Sequence, residues 1–310
     1  MKRNSKSIFE SRKSKLLQST NQNWIQSEGA DVVKWLCAGH ELDTKVPLIM
    51  GIVNVTPDSF SDGGNYATEK QAVAHGLALL REGADILDIG GESTRPGAAP
   101  VSEAEELDRV MPVVQELAKS GAIISVDTSK AVVMKEAIKT GAHIINDIRA
   151  LQEPGALEAV AETDAGVCLM HMQGAPATMQ NNPNYRHLIE EVEQFLIQQA
   201  LRAEKAGIAR ERICLDYGFG FGKTVEQNFE LLAHTDYFAR LPYPILVGLS
   251  RKSSIGAVTG RGVHDRLVGS VTGALLAAQR GASIVRVHDV AATRDAFKIW
   301  LMTENQSHKD

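Results

Sequence analysis

The chain has 310 residues, of which 44% are hydrophobic and 23% are charged, a composition typical of a globular protein with a large core. Its formal net charge of −5 argues against a general attraction to nucleic acid or to an anionic membrane, so an anionic ligand must be held by local cations. The three cysteines, Cys37, Cys168 and Cys214, form no CxxC pair, which argues against a disulfide framework or a zinc site and fits a reducing cytoplasm.

The N-terminal region is polar and basic. Residues 1–31 contain no apolar segment of the kind that a secretory signal needs, so we predict a disordered tail, with a transit peptide as the alternative. The segment "VVKWLCAGHELD" then predicts a short hairpin, and residues 32–46 form this N-terminal extension. By pattern, residues 47–303 are one folded unit and residues 304–310 a C-terminal tail. No apolar run reaches the length of a membrane span.

One pattern recurs within the folded unit: a Gly/Ala pair, a short apolar run and a closing polar residue, as in "EGADILDIGG", "SGAIISVDT" and "TGAHIINDI". Glycine suits the left-handed position after a helix, and apolar runs without alternation are typical of strands in parallel sheets, which are buried on both faces. The pattern predicts eight strands, namely Leu48–Val55, Asp85–Gly91, Ile123–Thr128, His143–Ile148, Val167–Met172, Ile213–Tyr217, Ile245–Ser250 and Ser283–Asp289.

A helical pattern follows each predicted strand. Ser102 and Glu105 form a capping-box signature before an apolar stripe, and we expect Pro112 to kink or divide that helix. Leu188–Ala206 and Asp265–Arg280 predict longer helices. Eight alternating units indicate an α/β fold, the (β/α)8 TIM barrel, with the N-terminal hairpin as an extension over the barrel floor. A doubly wound open sheet is the alternative, but no glycine fingerprint follows the first strand.

Polar side chains close the predicted strands. In a (β/α)8 barrel the C-terminal strand ends meet at one mouth, where active sites lie, so these side chains should converge on a single site. They are Asn54, Glu92 with Thr94 and Arg95, Asp127, Asn146 with Asp147, His171 after Met170, Asp216, Ser250 to Ser253, and Arg286 with His288. No GxSxG nucleophile elbow accompanies them.

A glycine-rich segment, "DYGFGFGKT", follows the sixth predicted strand. It fails the P-loop pattern because Tyr217 stands where that pattern needs glycine. The alternating glycines, together with Phe219 and Phe221, suggest a backbone that closely approaches a flat ligand. A glycine turn packed by two aromatic rings is the alternative.

Several long motifs, in this order, resemble those of the dihydropteroate synthases, a family of pterin-binding enzymes. They are "GIVNVTPDSFSDGG", "DIGGESTRPGA", "SVDTSK", "IINDI", "MHMQGAPATMQ", "DYGFGFGK", "GLSRKSSIG" and "RVHDV". The resemblance runs from about Pro47 to the last helix. One departure is Tyr217, where the family pattern leads us to expect proline, which puts the shape of the turn after Asp216 in doubt.

The resemblance implies a transferase of folate biosynthesis. Such an enzyme condenses 6-hydroxymethyl-7,8-dihydropterin diphosphate with p-aminobenzoate, giving 7,8-dihydropteroate and pyrophosphate. By resemblance, the pterin is bound by Asp127, Asn146, Met170, Asp216 and Lys252. From the residues alone, a helix N-terminal position beside Thr128 and Ser129 is the favoured interpretation of Asp127.

The resemblance also assigns the diphosphate, the metal and the second substrate. Asn54, Arg95, Arg286 and His288 are matched to the diphosphate, with Asn54 as the contact to Mg²⁺, whose preferred ligands are oxygens. The p-aminobenzoate slot is matched to Phe60, Ser61, Thr94, Pro96, Gly220, Phe221 and Ser253. Simple caps remain the alternative for Asn54 and Ser253, and surface ion pairs for the two arginines.

The expected mechanism is dissociative, with Asp62, Arg95, Lys252, Arg286 and His288 as the catalytic residues. Two loops, Thr56–Gly64 and Ser93–Val101, are predicted lids that exclude water; Asp62 would orient the amine or accept its proton, or is a solvated loop acid. Two alternatives remain: a methyltransferase acting on methyltetrahydrofolate and a corrinoid protein, and a non-catalytic pterin-binding paralogue. The resemblance further implies a homodimer. Because sulfonamides mimic p-aminobenzoate, we expect them to inhibit, and the cysteines favour a cytoplasmic location.

Overall fold

Eight parallel strands close into a barrel in the computed structural model of the chain, which describes residues 34–56, 64–93, 100–174, 179 and 183–307. Each strand pairs with its neighbours in chain order, and the last strand pairs with the first. The strands are β3 (Leu48–Asn54), β4 (Ile86–Gly90), β5 (Ile123–Asp127), β6 (Ile144–Asp147), β7 (Gly166–Met170), β8 (Ile213–Asp216), β9 (Ile245–Val247) and β10 (Ile284–Val287). The predicted (β/α)8 barrel is therefore confirmed.

Helices connect the strands and cover the outside of the barrel. They are α1 (Gly64–Glu82), α2 (Glu103–Ala118), α3 (Ala131–Thr140), α4 (Ala156–Ala161), α5 (Leu188–Lys205), α6 (Val225–Ala233), α7 (Thr235–Phe238), α8 (Ser253–Thr259), α9 (Leu267–Gln279) and α10 (Val290–Ser307). Short 3-10 turns occupy Arg210–Arg212 and Val263–Asp265. The main core lies between the outward faces of the strands and the inward faces of these helices.

The N-terminal extension is a hairpin of β1 (Lys34–Cys37) and β2 (His40–Asp43). Its two-residue turn places Ala38 and Gly39 at φ +47° and +76°, which matches the twist of the strands. Trp35 and Cys37 are fully buried against the lower barrel interior, so the hairpin closes the barrel floor as expected. The fit is close, because a β-carbon on Gly166 would lie 2.5 Å from the Cys37 sulfur.

Local sequence signals explain where α2 begins but not how far it extends. The Ser102 hydroxyl accepts a hydrogen bond from the Glu105 N–H and caps α2, which satisfies one of the donors that a helix start leaves unpaired. Pro112 lies inside α2, which continues to Ala118, so of the two expected effects, a kink or a division, the division does not occur. Proline removes a single backbone donor, and the buried stripe containing Val110, Val114 and Leu117 outweighs that loss.

The strand bounds match the predicted ones to within two residues, except at β9, which ends at Val247, not Ser250. There the chain leaves the sheet for a tight turn in which Arg251 adopts φ +58°. In the described part of the chain, no helix is both long and apolar enough to span a membrane.

Candidate active site

Side chains inside the barrel form two levels. The lower level, next to the hairpin, is apolar and consists of Leu48, Met50, Ile86, Ile123, Ile144, Cys168, Cys214, Leu246 and Ile284. Because side chains alternate between the two faces of a strand, the inward positions further along the strands form the upper level. That level is polar and contains Asn54, Asp88, Asp127, Asn146, Asp216 and Arg286. Five of the predicted strand-end residues, namely Asn54, Asp127, Asn146, Asp216 and Arg286, thus lie around one mouth.

An arginine and two carboxylates form the centre of this polar level. Arg286 donates from Nε to Asp88 Oδ2 (2.6 Å) and from Nη2 to Asp127 Oδ2 (2.8 Å). Asn146 Nδ2 also donates to Asp88 Oδ2, at 3.1 Å. The sequence assigned Arg286 to the diphosphate and Asp127 and Asn146 to the pterin. Arg286 contacts Asp127 directly and is linked to Asn146 through Asp88, so the two predicted subsites adjoin.

Asp88 is a site residue that the sequence analysis missed. It is completely buried, and among the described residues its Oδ1 has no hydrogen-bond partner. A buried carboxylate with one free oxygen is costly unless a cation lies beside it, and Arg286 supplies that cation. The sequence did contain a signal for Asp88, because it is an acid within the apolar run "DILDIGG". It lies two positions before Gly90, and residues two apart on a strand point to the same face, here the barrel interior.

Burial sets the protonation of the carboxylates at the mouth. It raises the pKa of Asp127 to about 7, since the Arg286 charge opposes the loss of solvation only in part and Asp88 adds repulsion. Burial also raises the pKa of Asp216, although the Lys252 ammonium and a hydrogen bond from the Gly218 N–H oppose the rise. Strongly perturbed carboxyl groups that share a cavity are typical of a functional site.

Lys252 brings a second cation to the mouth. Its Nζ donates to the Phe219 carbonyl and lies 4.3 Å from the centroid of the Phe221 ring. Burial lowers its pKa to about 7; Asp216 opposes this shift, while Arg286 adds to it. A lysine that is partly desolvated beside a carboxylate can bind a carbonyl oxygen or a ring nitrogen without a large loss of hydration.

The preceding residue, Arg251, fixes the backbone of Lys252. Its left-handed backbone is held by hydrogen bonds from its N–H to Ser270 Oγ and from Arg266 Nη1 to its carbonyl, both 2.9 Å. Its guanidinium binds Asp289 with two hydrogen bonds. Such strain in a non-glycine residue persists only where its surroundings impose it, so this loop is built to present Lys252 in one position.

The glycine-rich turn forms another wall of the mouth. Asp216 Oδ1 accepts a hydrogen bond from the Gly218 N–H at 2.7 Å. Gly220 adopts φ +84°, and a β-carbon there would lie 2.8 Å from Lys252 Cδ, so a larger residue would displace the lysine. Phe221 packs with Met170 at the mouth. Phe219 instead lies in the outer core against Phe229, so only one of the two aromatic rings faces the site.

Tyr217, the departure from the family pattern, points away from the mouth. Its ring is fully buried in the outer core and packs on Phe238, with ring centroids 5.4 Å apart. Its hydroxyl lies 3.2 Å from Thr235 Oγ1. The neighbouring Asp216 keeps its inward direction, so the substitution changes the packing behind the turn and leaves the turn's inner face intact.

The remaining predicted residues lie around the rim. Asn54 ends β3 and is half-buried; it is in register with Gly90 and, one strand further, with Asp127. His288 follows β10, and its Nδ1 lies 3.0 Å from Ser250 Oγ. Ser253 is exposed and is the first residue of α8, whose N-cap position is held by Lys252. The alternative role of Ser253 as the N-cap is therefore wrong.

Six predicted site residues lie outside the described residues: Phe60, Ser61, Asp62, Thr94, Arg95 and Pro96. Both predicted lids fall mostly on those segments. At the end of the second one, Glu92 accepts a hydrogen bond from the Val101 N–H and is ion-paired with Lys130. Lys130 also binds the buried Glu106.

The donor set at the rim fits a magnesium ion carried mainly by a substrate. Among the described residues, no group of three or more His, Cys, Asp or Glu side chains could hold a metal. Asn54 offers one carboxamide oxygen, and its neighbour Gly90 has no side chain to fill the adjacent space. Mg²⁺ keeps several waters and is commonly bound by one or two protein ligands plus substrate phosphates. Asn54 can supply one such protein ligand.

Known proteins resemble this chain in sequence and fold over most of its length. The sequence model of the pterin binding enzyme family matches residues 50–288. A dihydropteroate synthase of Escherichia coli K12 is 53% identical over 268 residues, covering 86% of this chain and 95% of that relative. Dihydropteroate synthase from Xanthomonas albilineans with 4-aminobenzoic acid superposes with a TM-score of 0.84 at 52% identity, covering 88% of this chain and 99% of that one. The Burkholderia cenocepacia enzyme complexed with 7,8-dihydropteroate has a TM-score of 0.83 at 45% identity, covering 90% and 99%.

Proposed function

Because this chain belongs to the dihydropteroate synthases of the pterin-binding enzyme family, a family of transferases, we propose that it joins 6-hydroxymethyl-7,8-dihydropterin diphosphate to p-aminobenzoate. The products are 7,8-dihydropteroate and pyrophosphate. The observation that carries the proposal is the placement of Asp216, Lys252 and Arg286 around one mouth: both cations lower the pKa of Asp216, and Asp216 and Arg286 both shift the pKa of Lys252. A pterin and its diphosphate tail need such a combination of carboxylate and cations.

The pterin would bind edge-on to Asp216. Its pyrimidine edge carries adjacent N–H donors, and a carboxylate can accept two of them, as it does from arginine. Asn146 and Asp127 lie across the barrel interior and provide further polar contacts. Lys252 would donate to the pterin carbonyl oxygen, while Met170 and Phe221 supply the apolar wall. Burial strengthens each of these contacts, because little water competes at this depth.

The diphosphate would lie on the Arg286 and His288 side. Burial alone would lower the pKa of Arg286, but Asp88 and Asp127 outweigh it and raise the pKa, so the guanidinium stays charged. The predicted ligands Asn54 and Arg95 would complete this subsite. Bound Mg²⁺ would neutralise negative charge that grows on the leaving pyrophosphate. Arginine's planar fork suits the phosphate oxygens.

We further propose a dissociative reaction. The bond between the pterin methylene carbon and the diphosphate oxygen breaks first, and its electron pair leaves with pyrophosphate. The electron-rich pterin delocalises the resulting cation, which the amine nitrogen of p-aminobenzoate attacks; the amine then loses a proton, with Asp62 as the predicted acceptor. Arg286 stabilises the departing charge. A normal secondary isotope effect on deuteration of the methylene would support this order, and its absence would contradict it.

The p-aminobenzoate would occupy the outer part of the mouth. Gly220, Phe221 and the exposed Ser253 lie there, and Phe60, Ser61, Thr94 and Pro96 remain predicted contacts of this substrate. The flat ring of p-aminobenzoate would pack against Phe221, and its carboxylate would reach Ser253. The pterin would bind first and deeper in the mouth, so that the amine of p-aminobenzoate lies above the bound pterin.

A coupled assay of pyrophosphate release tests the proposal. Release should require p-aminobenzoate, and the product should have the mass of dihydropteroate; the Asp216→Asn variant should be inactive. Pterin binding without any release would favour a non-catalytic paralogue. Methyl transfer from methyltetrahydrofolate would favour the methyltransferase, which has no use for the cations of the mouth.

We also propose that the enzyme is a cytoplasmic homodimer. Large apolar side chains are exposed on α8, α9 and α10, including Val258 (62%), Val268 (76%), Ile299 (71%) and Met302 (58%). Clustered exposed apolar surface is typical of a protein interface. Sedimentation of a single species at monomer mass at micromolar concentration would contradict a dimer.

A further inference from the structure

Lys223 is a buried cation that the proposed mechanism does not use. It follows the glycine-rich turn and retains only 2% exposure. Its Nζ lies 2.9 Å from the Gly218 carbonyl, 3.0 Å from the Phe221 carbonyl, 2.9 Å from His171 Nδ1 and 3.4 Å from the His171 carbonyl. The amine therefore ties both ends of the turn to the residue that follows β7.

The acceptors around Nζ call for an ammonium group. Burial, with a smaller contribution from Lys223, lowers the pKa of His171 to about 2, so the imidazole is neutral and its Nδ1 can accept. Three carbonyl oxygens and this nitrogen then face one Nζ. An ammonium has three hydrogens to donate, whereas a neutral amine has two and would leave buried acceptors unpaired.

Asp216 is the carboxylate that such a charge would influence. Burial lowers the pKa of Lys223, and Asp216 opposes that shift; conversely, Lys223 is among the groups that hold down the pKa of Asp216. Among the described residues, the charged and titratable groups that interact electrostatically with Asp216 are Lys252, Lys223, Arg286, Cys168 and Tyr217. Lys252 and Arg286 would contact the substrate, whereas Lys223 lies behind the turn.

We propose that Lys223 is a positioning residue: its ammonium shapes the turn from Gly218 to Phe221 and keeps Asp216 ionised for the pterin edge. Gly218 shows why the contact is specific, because a β-carbon there would lie 1.9 Å from the His171 carbonyl and 3.3 Å from Lys223 Nζ. The turn can approach β7 this closely only because residue 218 is glycine. The Lys223 ammonium offsets the repulsion between the carbonyl groups that this approach brings together. The consequence for pterin affinity rests on the proposed function, whereas the effect on Asp216 does not.

The first test titrates the Asp216 carboxyl by ¹³C NMR and needs no ligand, with the signal assigned by its loss in Asp216→Asn. In Lys223→Met the titration midpoint should rise by about one pH unit, the effect of losing a nearby opposite charge. Lys223→Arg should restore it. Tyr185→Phe is a matched control, because the Tyr185 hydroxyl donates to the Gly222 carbonyl at 2.8 Å and braces the same turn without charge. An unchanged midpoint in Lys223→Met, or an equal rise in Tyr185→Phe, would overturn the proposal.

The second test measures binding of 6-hydroxymethylpterin by calorimetry from pH 5 to pH 8. The loss of affinity on acidification should begin about one pH unit higher in Lys223→Met; a loss by the same factor at every pH would show a purely structural role. If the wild-type protein binds no pterin, the proposed function is wrong, but the titration of Asp216 still tests the role of Lys223. If Lys223→Met does not fold, ¹⁵N NMR of wild type decides, because a neutral-amine Nζ signal in contact with His171 would refute the ammonium.

Discussion

Replacing Arg286 by methionine should destabilise the barrel as well as impair catalysis. The variant leaves two carboxylates without their cation: Asp88, whose side chain is 0% exposed, and Asp127, at 12%. Removal of one partner from a buried ion pair costs about 3–5 kcal/mol. Because the Arg286 side chain is itself 20% exposed, we expect a value near the lower end, about 3 kcal/mol, and a fall in Tm of roughly 6–12 °C.

The stability lost in Arg286→Met should depend on pH. In the folded wild type the pKa of Asp127 is raised to about 7, above its value of about 3.9 in an unfolded chain. The stability that this group contributes is therefore fully present below pH 3.9 and is lost as the pH rises through about 7. Without Arg286 the pKa of Asp127 rises further, so Arg286→Met should lose more stability at pH 8 than at pH 5.

Urea-induced unfolding at pH 5 and pH 8 measures both effects. Adding Asp88→Asn to Arg286→Met should recover about 1–2 kcal/mol, because it removes one uncompensated buried charge. Lys298→Met is the matched control, since its ion pair with Asp295 is 54% and 74% exposed and should contribute less than about 0.5 kcal/mol. The reasoning is refuted if Arg286→Met unfolds like the control, or if its loss is the same at both pH values.

Three further predictions concern ligands. Asp216→Asn should weaken pterin binding at least about 100-fold, because charge-assisted hydrogen bonds to the edge are lost; wild-type affinity in calorimetry would contradict the assignment. Asn54→Ala should raise the Mg²⁺ concentration needed for half-maximal turnover and leave the affinity for bare pterin unchanged, and an identical Mg²⁺ dependence would exclude Asn54 as a ligand. Sulfonamides, which mimic p-aminobenzoate, should inhibit competitively with it; full activity at saturating drug would count against the proposed slot.

The fold could be predicted from the sequence because the signal is repeated and local. Each strand is a short apolar run between a Gly/Ala pair and a polar residue, and parallel strands end at a common edge. That edge rule also identified Asp127, Asn146 and Asp216 as neighbours. The Tyr217 substitution remained ambiguous, because the sequence does not reveal that the ring turns outward to Phe238.

Partners from distant parts of the chain could not be predicted. Arg286 and Asp88 are 198 residues apart in sequence, and no local pattern pairs them. Lys223 looked like the end of a failed P-loop motif, although its ammonium binds three carbonyl groups behind the turn. Asn228 was missed for the same reason; it accepts from the Gly220 N–H and donates to Ser254 Oγ at 3.0 Å. Lys223 and Asn228 bind backbone groups of the turn, and such contacts have no sequence signature.

A crystal structure of the enzyme with 6-hydroxymethyl-7,8-dihydropterin diphosphate would test the central claim most directly. We predict that the pterin edge lies against Asp216 and Asn146 inside the barrel mouth, with the diphosphate beside Arg286 and His288. Pterin density on another surface, or a diphosphate directed away from Arg286, would contradict the proposed site.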